Sequence, residues 1–387
     1  MKRVNLEIIK YKPMANIIVL GGGRVGSAIA TIMSKNHLVK VLDIYISNRI
    51  QTKSLTYELF DFRELTSIAS KISEADLVIG AVPGDLGYEV LEKVIQAGKN
   101  IVDISFFPEN GLKLNTIAKK YNVIAAIDAG VAPGMDNILL GHHDSEMKIS
   151  SFKCLVGGLP IIKNHPYNYK APFSPADVIE EYTRPARIMR NKRVITLPAL
   201  SEIETFNVNK VGKLEAFNSD GLRSLLFTMK HISNMVEKTV RYPGHAQHMY
   251  FLRELGLLSK NEILLDNQRI IPLQLTSKLL FHHWQYQPGE KDQTIMRVEI
   301  KGLQNRKKVH YIYDLHDEYN TTTHMSSMAR TTGITACAVA ECILSGKWKK
   351  TGVIPPEYIG MNATCFDFIM DYQKKMGIRY RVRKKIR

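Results

Sequence analysis

The sequence predicts an α/β protein in which a doubly wound parallel sheet is joined to an inserted α+β domain. Short apolar runs alternate with helical segments through the first third of the chain, as in parallel sheets. A glycine-rich turn at residues 21–26 separates the first apolar run from the first helix. Beyond Gly141 the pattern changes to strands and turns typical of antiparallel sheets. With 387 residues, the chain is long enough to bury cores in both domains.

The first domain is predicted to contain five strands and four helices. The strands are expected at residues 17–20, 39–42, 77–81, 100–102 and 123–127, and the helices at 27–34, 63–71, 86–97 and 112–120. These strands are short and largely apolar, which suits strands buried on both faces. Because ligands of such sheets bind beyond the carboxyl ends of the strands, the candidate site is expected there.

The glycine turn matches the pattern G-x-G-x-x-G, with a strand before it and a helix after it. Gly21 allows the tight turn, Gly23 lets the backbone approach a pyrophosphate, and Gly26 allows the helix to pack closely on the strand. The helix N-terminus supplies unpaired N–H groups for the phosphates. Together these features predict a Rossmann dinucleotide-binding domain.

The cofactor prediction depends on Asp43, which ends the second strand twenty residues after Gly23. A carboxylate at this position accepts hydrogen bonds from the ribose hydroxyls and repels a 2′-phosphate. The sequence therefore favours NAD. NADP is kept as an alternative, because Arg24 or Arg49 could reach a 2′-phosphate.

The second domain is predicted from strands at residues 150–156, 296–300 and 309–314. Residues 305–308 are expected to form the exposed turn of a hairpin. The small and apolar residues 325–344 predict a buried helix that returns to the first domain. The expected boundaries are 14–132 for the dinucleotide-binding domain, which is completed by 325–387, and 133–324 for the inserted domain.

The bulk composition excludes several classes of protein. Hydrophobic residues make up 45% of the chain and charged residues 23%, as in globular rather than disordered proteins. No run approaches the ~20 apolar residues of a membrane span. The four cysteines form no C-x-x-C pair, which argues against a disulfide framework or a structural zinc site. We therefore expect a cytoplasmic protein with no metal site.

The charge of the chain is strongly positive, at +16. Half of this excess lies in the last fourteen residues, which contain eight basic and no acidic side chains. Such a run is expected to be a solvated tail rather than a binding surface. Nucleic acid and membrane are therefore not expected as partners, and a small molecule is.

Eight motifs, in order along almost the whole chain, resemble those of the saccharopine dehydrogenase family, which includes saccharopine reductases and lysine 6-dehydrogenases. They are GGGRVG (21–26), DAGVAPGMDN (128–137), VGGLP (156–160), YKAPFSPADVIEEYTRPARI (169–188), EAFNSDGLRSL (215–225), EKTVRYPGHA (237–246), SSMARTTG (326–333) and GVIPPE (352–357). The resemblance implies a homodimeric nicotinamide enzyme whose inserted domain binds an amino-acid substrate and forms the dimer.

The resemblance also implies which residues form the site. The cofactor contacts would be Gly21, Gly23, Arg24, Val25, Gly26, Asp43 and Val82. The substrate pocket would include Ser105, Phe106, Asn218 and Thr239. The amine must lose a proton before hydride leaves, so a base is needed, and the candidates are Asp103, Asp128 and His245. Cationic anchors for substrate carboxylates would be Lys170, Arg223, Arg241 and Arg330.

Two departures leave the substrate open. Fungal saccharopine reductases have an acid at the position of Ala132 and lack the acid at Asp43. The turn containing Ala132 is closer to that of lysine 6-dehydrogenases, whereas the segment YKAPFSP resembles bacterial saccharopine dehydrogenases. Saccharopine dehydrogenase is the expected activity. The alternatives are lysine 6-dehydrogenase, carboxynorspermidine dehydrogenase, whose more cationic substrate requires more acids in the pocket, and a regulatory protein that binds NAD.

Overall fold

The computed structural model describes residues 14–46, 51–163 and 165–386. Arg49, named above as a candidate contact of a 2′-phosphate, lies outside the described residues, as do residues 1–13. The strands are β1 Asn16–Leu20, β2 Leu38–Asp43, β3 Leu55–Leu59, β4 Leu77–Gly80, β5 Ile101–Asp103, β6 Ile124–Ala126, β7 Lys148–Pro160, β8 Ala186–Arg190, β9 Arg193–Leu197, β10 Glu204–Val208, β11 Gly212–Asn218, β12 Asn234–Arg241, β13 Ile263–Leu265, β14 Gln268–Ile270, β15 Asp292–Gln304, β16 Lys307–Glu318, β17 Gly352–Ile354 and β18 Tyr380–Ile386. The helices are α1 Arg24–Met33, α2 Ile68–Lys71, α3 Gly84–Gln96, α4 Asn115–Lys120, α5 Met135–Asp144, α6 Pro175–Thr183, α7 Leu225–Thr228, α8 His245–Glu254, α9 Pro272–Trp284, α10 Ser327–Leu344, α11 Pro356–Met361 and α12 Ala363–Lys375.

The first sheet is parallel throughout, with the strand order β3-β2-β1-β4-β5-β6-β17. Alternate residues of β1 pack into different cores: Ile17 and Val19 into one, Ile18 and Leu20 into the other. Both faces of the sheet are therefore covered, which explains why its central strands are apolar without alternation. The predicted doubly wound sheet and its five predicted strands are confirmed, and β3 and β17 are additional.

The second sheet is mixed, with the order β10-β11-β12-β7-β15-β16-β18 and with β8 and β9 as a side pair on β12. Its long hairpin joins β15 to β16 through Asn305 and Arg306, which both have positive φ. Two such residues in succession are typical of the tight turn that matches the twist of paired strands. The predicted exposed hairpin turn is confirmed.

The helix α10 connects the two domains. It packs against α1 of the first domain, where Gly333 approaches Ile29, and most of its residues are buried. Side chains from both domains, such as Ile29 of α1 and Val298 of β15, belong to one continuous core. The two sheets are therefore held against each other by shared apolar packing. The prediction of a buried returning helix is confirmed.

The basic C-terminal segment is not a solvated tail, and that prediction is wrong. Tyr380–Ile386 forms β18, which pairs antiparallel with β16 at the edge of the second sheet. Two of its basic side chains have partners there: Arg383 binds Asp314, and Lys384 binds Gln304 at 2.9 Å. The segment after α10 therefore contributes β17 to the first sheet and β18 to the second, rather than serving the first domain alone.

Two further predictions concern cysteines and membranes. The four cysteines are free and buried. Among the described residues, the structure has no helix that is both long and apolar enough to cross a lipid bilayer.

Candidate functional site

The glycine turn lies between β1 and α1, at the carboxyl edge of the first sheet. A Cβ atom on Gly26 would lie 1.9 Å from the Gly21 carbonyl oxygen, and one on Gly21 would lie 2.5 Å from the Ala81 carbonyl oxygen. Neither position has room for a side chain. A Cβ atom on Gly23 would meet nothing within 4 Å, so a pyrophosphate can approach the backbone there. The first turn of α1 contains no acid that would repel a phosphate.

Asp43 stands beside this turn, where its carboxylate accepts a hydrogen bond from the backbone N–H of Gly22. Its remaining lone pairs can accept hydrogen bonds from ribose hydroxyls. Two cations line the same end of the cleft: Arg24, which lies 5.3 Å from the ring centroid of Tyr286, and Arg63. Arg63 forms an ion pair with Asp61, so among the described residues at this end the groups without a protein counter-charge are the Asp43 carboxylate and the Arg24 guanidinium. These residues fit a nicotinamide dinucleotide, with or without a 2′-phosphate.

A cleft of about 610 Å³ runs from the glycine turn into the second domain. Every predicted cofactor contact lines it, namely Gly21, Gly23, Arg24, Val25, Gly26, Asp43 and Val82. Four predicted substrate-pocket residues also line it, namely Ser105, Phe106, Thr239 and Arg241. The cleft therefore brings a dinucleotide turn and charged side chains of the second domain into one space, as expected for a dehydrogenase site.

Asp103 lies beneath this cleft rather than in its wall. Its side chain is fully buried against Gly80, whose Cβ atom would lie 2.1 Å from a carboxylate oxygen. The carboxylate accepts hydrogen bonds from the backbone N–H and the hydroxyl of Ser105, both at 3.0 Å. Burial raises the pKa of Asp103 to about 8. The structure therefore places Asp103 as the group that orients Ser105, which does line the cleft.

Asp128 forms a buried ion pair with Arg223. Its Oδ1 atom lies 2.6 Å from Arg223 Nε, and both side chains are nearly inaccessible to solvent. Arg223 also donates a hydrogen bond to the Phe107 carbonyl and lies 4.7 Å from the Phe107 ring centroid. These groups border a separate cavity of about 10 Å³. The pair connects the end of the first sheet to the second domain, and neither residue lines the cleft.

Arg241 lines the cleft, but its guanidinium is already held by protein groups. It forms an ion pair with Glu181 and donates hydrogen bonds to the hydroxyls of Tyr182 at 3.2 Å and Tyr169 at 3.3 Å. His245 lies behind this group, with Nε2 2.9 Å from the Tyr182 hydroxyl. Burial and the Arg241 charge lower the pKa of His245 to about 3, so its ring is neutral at pH 7. The structure places His245 outside the cleft lining.

The two remaining predicted anchors and the predicted pocket residue Asn218 also have protein partners and lie outside the cleft lining. Lys170 binds Glu290 with Nζ–O distances of 2.6 and 2.7 Å. Arg330 pairs with Asp317 at 3.2 Å. Asn218 is fully buried and donates a hydrogen bond to the Ser201 hydroxyl at 3.1 Å. In the present conformation these groups hold the second domain together.

Sequence reasoning missed the charged face of α6. The residues Asp177, Glu180, Glu181 and Arg184 line the cleft at spacings of three, four and seven positions, which place them on one side of the helix. The signal was present in the sequence, because these residues lie at helical spacing within the motif at 169–188. This helix forms the substrate-domain wall of the cleft.

Besides Asp43 at the cofactor end, three carboxyl groups of the cleft wall, those of Asp85, Asp177 and Glu237, form no ion pair among the described residues, and two of them have a raised pKa. Asp177 accepts a hydrogen bond from the backbone N–H of Gly84 at 3.3 Å, and burial raises its pKa to about 6. Glu237 lies against Gly221 and has one buried oxygen without a hydrogen-bond partner. Burial and neighbouring carboxyl groups, including Asp136, raise the pKa of Glu237. A bound cation would stabilise the ionised form of either group.

Three potential metal ligands lie close together elsewhere in the molecule. Donor atoms of His142, His143 and Glu146 are within 4.8 Å of one another. Two of these residues already have structural contacts: His143 Nε2 lies 2.7 Å from the Tyr313 hydroxyl, and His142 stacks on Phe366 at 3.7 Å. None of the three lines the cleft, so they are not part of the candidate site.

Relatives of assigned activity match the chain at low identity. Alpha-aminoadipic semialdehyde synthase of Mus musculus is 21% identical over 277 residues, which cover 67% of this chain and 30% of the relative. The chain therefore spans less than a third of that longer protein. Carboxyaminopropylagmatine dehydrogenase of Synechocystis sp. is 22% identical over 377 residues, which cover 89% of this chain and 92% of the relative.

A solved structure and two family domains also match the chain, in agreement with the sequence motifs. Apo saccharopine dehydrogenase (L-Glu forming) of Saccharomyces cerevisiae has the same fold, with a TM-score of 0.76, 17% identity, and coverage of 96% of this chain and 100% of that chain. Residues 17–126 match the saccharopine dehydrogenase NADP binding domain, and residues 130–378 match the saccharopine dehydrogenase C-terminal domain. These two matches span nearly all of the described chain. The chain belongs to the saccharopine dehydrogenase family.

Proposed function

We propose that this chain is a nicotinamide-dependent oxidoreductase that acts on the C–N bond of a lysine-derived amino acid. The observation that carries the proposal is the single cleft, in which the dinucleotide turn at Gly23 faces charged side chains of α6 and β12. The dinucleotide supplies hydride transfer when bound, and the protein supplies orientation and electrostatics. A regulatory protein that only binds NAD would not need the charged face opposite the turn.

Asp177 is the carboxyl group best suited to take the proton of a substrate ammonium. It lines the cleft, whereas Asp103, Asp128 and His245 do not. A base works best when its pKa lies near the operating pH, and the pKa of Asp177 is raised towards that range. We therefore assign proton transfer to Asp177 within the proposed reaction.

Saccharopine is the first substrate to test, because the family and the motifs favour it. This compound carries three carboxylates, which require cationic partners. Beyond the dinucleotide end, the described residues that line the cleft include the two cations Arg184 and Arg241. Arg241 is neutralised by Glu181 and Arg184 is in contact with Glu180. Binding of saccharopine therefore requires some of these pairs to open.

A second candidate is favoured by the surplus of acids in the same wall. Asp177 and Glu237 have no cationic partner among the described residues, which suits a substrate with one carboxylate and at least two cationic nitrogens. Lysine has this charge pattern. So does carboxyaminopropylagmatine, the compound named for the Synechocystis relative that matches nearly the full length of the chain. The experiment that separates the candidates is a dinucleotide-reduction assay with saccharopine, lysine and carboxyaminopropylagmatine side by side. Absence of turnover with all three would reject the proposed function.

We further propose that NAD is preferred over NADP, because of the carboxylate of Asp43. The matching family domain is described as NADP binding, and Arg24 gives the cleft a cation for a 2′-phosphate, whereas Arg63 is paired with Asp61. Asp43→Ala is expected to weaken NAD binding about tenfold while leaving NADP binding unchanged or tighter. Calorimetric titration of both dinucleotides measures this, and equal losses for both would contradict the preference.

A cytoplasmic homodimer completes the proposal. Free cysteines that are all buried are compatible with a reducing compartment. The dimer rests on the resemblance to the family. Light scattering coupled to gel filtration tests the dimer, since a monomer of 43.9 kDa is readily separated from a dimer.

A further inference from the structure

The guanidinium of Arg184 is mostly buried in the cleft wall, and part of its hydrogen-bonding capacity is unused. It lies at the C-terminal end of α6 and lines the cleft, and its side chain is 14% exposed. Its Nη1 atom is buried and has no hydrogen-bond partner. A buried N–H group without a partner is destabilising, so a ligand that accepts its hydrogen bond recovers this free energy on binding.

The carboxylate that contacts Arg184 is shared with a second cation. Its Nε atom lies 3.4 Å from Glu180, but Lys260 Nζ binds the other oxygen of the same carboxylate at 2.8 Å. Two cations therefore share one anion. Asp177, on the same face of α6, directs an oxygen to the backbone N–H of Gly84 instead. By contrast, the Arg241 charge is balanced one-to-one by Glu181.

The position of the guanidinium is fixed by packing. It lies 5.0 Å from the ring centroid of Phe106, which itself lines the cleft. Stacking on an aromatic face holds the planar group in one orientation and leaves its edge for hydrogen bonds. A planar, fixed guanidinium with free N–H groups fits a carboxylate, which can accept two parallel hydrogen bonds.

We propose that Arg184 forms a subsite for a substrate carboxylate, and that Glu180 and Phe106 position it. This inference rests on the proposed function, and it narrows the substrate to one that presents a carboxylate at the α6 end of the cleft. Arg184, rather than the expected Lys170, Arg223, Arg241 or Arg330, then determines specificity for that carboxylate. The unpaired N–H group of Arg184 accommodates one carboxylate, and the acids Asp177 and Glu237 accommodate the amino groups.

The test compares a carboxylate with its neutral amide. Lysine and lysinamide are titrated by calorimetry into the full-length protein saturated with NAD, for wild type, Arg184→Gln, Arg184→Lys and the control Arg190→Gln. Arg190 is a matched control because it is an exposed arginine in the next strand, paired with Glu202 and absent from the cleft wall. Thermal melts establish that each variant is folded.

Wild type and Arg190→Gln are expected to bind lysine about 10- to 100-fold more tightly than lysinamide. Arg184→Gln is expected to lose this discrimination, and Arg184→Lys to retain part of it, because the charge remains without the planar fork. NAD affinity is expected to be unchanged throughout. The proposal is overturned if wild type binds both compounds equally or binds neither, or if Arg184→Gln discriminates like wild type. Because the measurement needs no turnover, a protein that binds lysine through Arg184 but oxidises no amine would reject the proposed function alone.

Discussion

Asp128→Asn tests whether the Asp128 carboxylate stabilises the fold or takes part in the reaction. Asp128 and Arg223 are 2% and 5% exposed, and they join the first sheet to the second domain across 2.6 Å. The substitution leaves the Arg223 guanidinium buried without a counter-charge, held by the Phe107 carbonyl. We expect a large loss of stability, because a buried charge that loses its partner cannot be solvated.

The magnitude follows from the burial of both partners. Removing one member of a buried ion pair costs about 3–5 kcal/mol. The unfolding entropy of a chain of this length is roughly 0.8 kcal/mol/K if it unfolds cooperatively, so Tm is expected to fall by about 4–6 °C. The double variant Asp128→Asn with Arg223→Met removes both charges and is expected to recover part of this loss.

Arg223→Met is expected to show a different pH dependence from Asp128→Asn. Burial raises the pKa of Asp128, and Arg223 opposes this increase. Without Arg223, the folded state holds a proton that the unfolded state releases near pH 4. The stability of Arg223→Met is therefore expected to fall as the pH rises from about 4 through the raised pKa. Asp128→Asn lacks the titrating group and is expected to lack this slope.

Calorimetric melts between pH 4.5 and 8 measure both effects, with turnover measured well below Tm in the same buffers. If Asp128→Asn has the same Tm as wild type but no turnover, the structural assignment is refuted and Asp128 is again a candidate catalytic residue. A loss of Tm that the double variant does not relieve would show that the ion pair is not its cause.

Three further predictions test the turn, the base and the C-terminal strand. Gly26→Ala is expected to lower Tm and abolish dinucleotide binding, because its Cβ atom would lie 1.9 Å from a carbonyl oxygen. Gly23→Ala has no protein atom within 4 Å of the new Cβ atom, so it is expected to keep the wild-type Tm and to weaken dinucleotide binding about tenfold. Thermal melts and calorimetric titration compare the two variants. For Asp177, whose raised pKa is about 6, kcat/KM is expected to rise through pH 6 as the carboxylate forms, and Asp177→Asn is expected to lose this limb of the pH profile; an unchanged limb contradicts the assignment. Removal of residues 378–387 is expected to lower Tm by several degrees, because β16 loses one of its two neighbouring strands and the packing of Ile378, 2% exposed, is removed; an unchanged melt would indicate a tail that does not pair.

The first sheet could be predicted from sequence because its signals are local. A strand buried on both faces is a run of apolar residues, and the glycine turn reports the strand before it and the helix after it. β3 was missed because it is an edge strand whose residues, Leu55–Leu59, are mostly half-buried or exposed. β18 was missed for a related reason. Basic side chains are common on edge strands, where they discourage pairing with other chains, but in the sequence they resemble a solvated tail.

The cofactor end of the site could be predicted because its signals are also local in the sequence. The cations that contact the substrate could not be predicted in this way. The spacing between Gly21 and Asp43 depends on one βαβ unit. Whether a cation is available to a ligand depends instead on residues far along the chain. Lys170 is neutralised by Glu290, 120 positions away, and Arg223 by Asp128, 95 positions away. A sequence shows each of these cations without its partner, so each resembles a free anchor.

The difference between paired and unpaired charged groups also decides which charges of the protein can contact a substrate. The net charge of +16 describes the whole chain, and four of its basic residues lie on β18 at the edge of the second sheet. A ligand in the cleft meets only the groups that the protein has not already paired. In the substrate half these include the carboxyl groups of Asp177 and Glu237 and the unpaired Nη1 atom of Arg184. A strongly basic protein therefore presents a cleft with more free acids than free cations, which suits an amino acid with one carboxylate and additional amino groups.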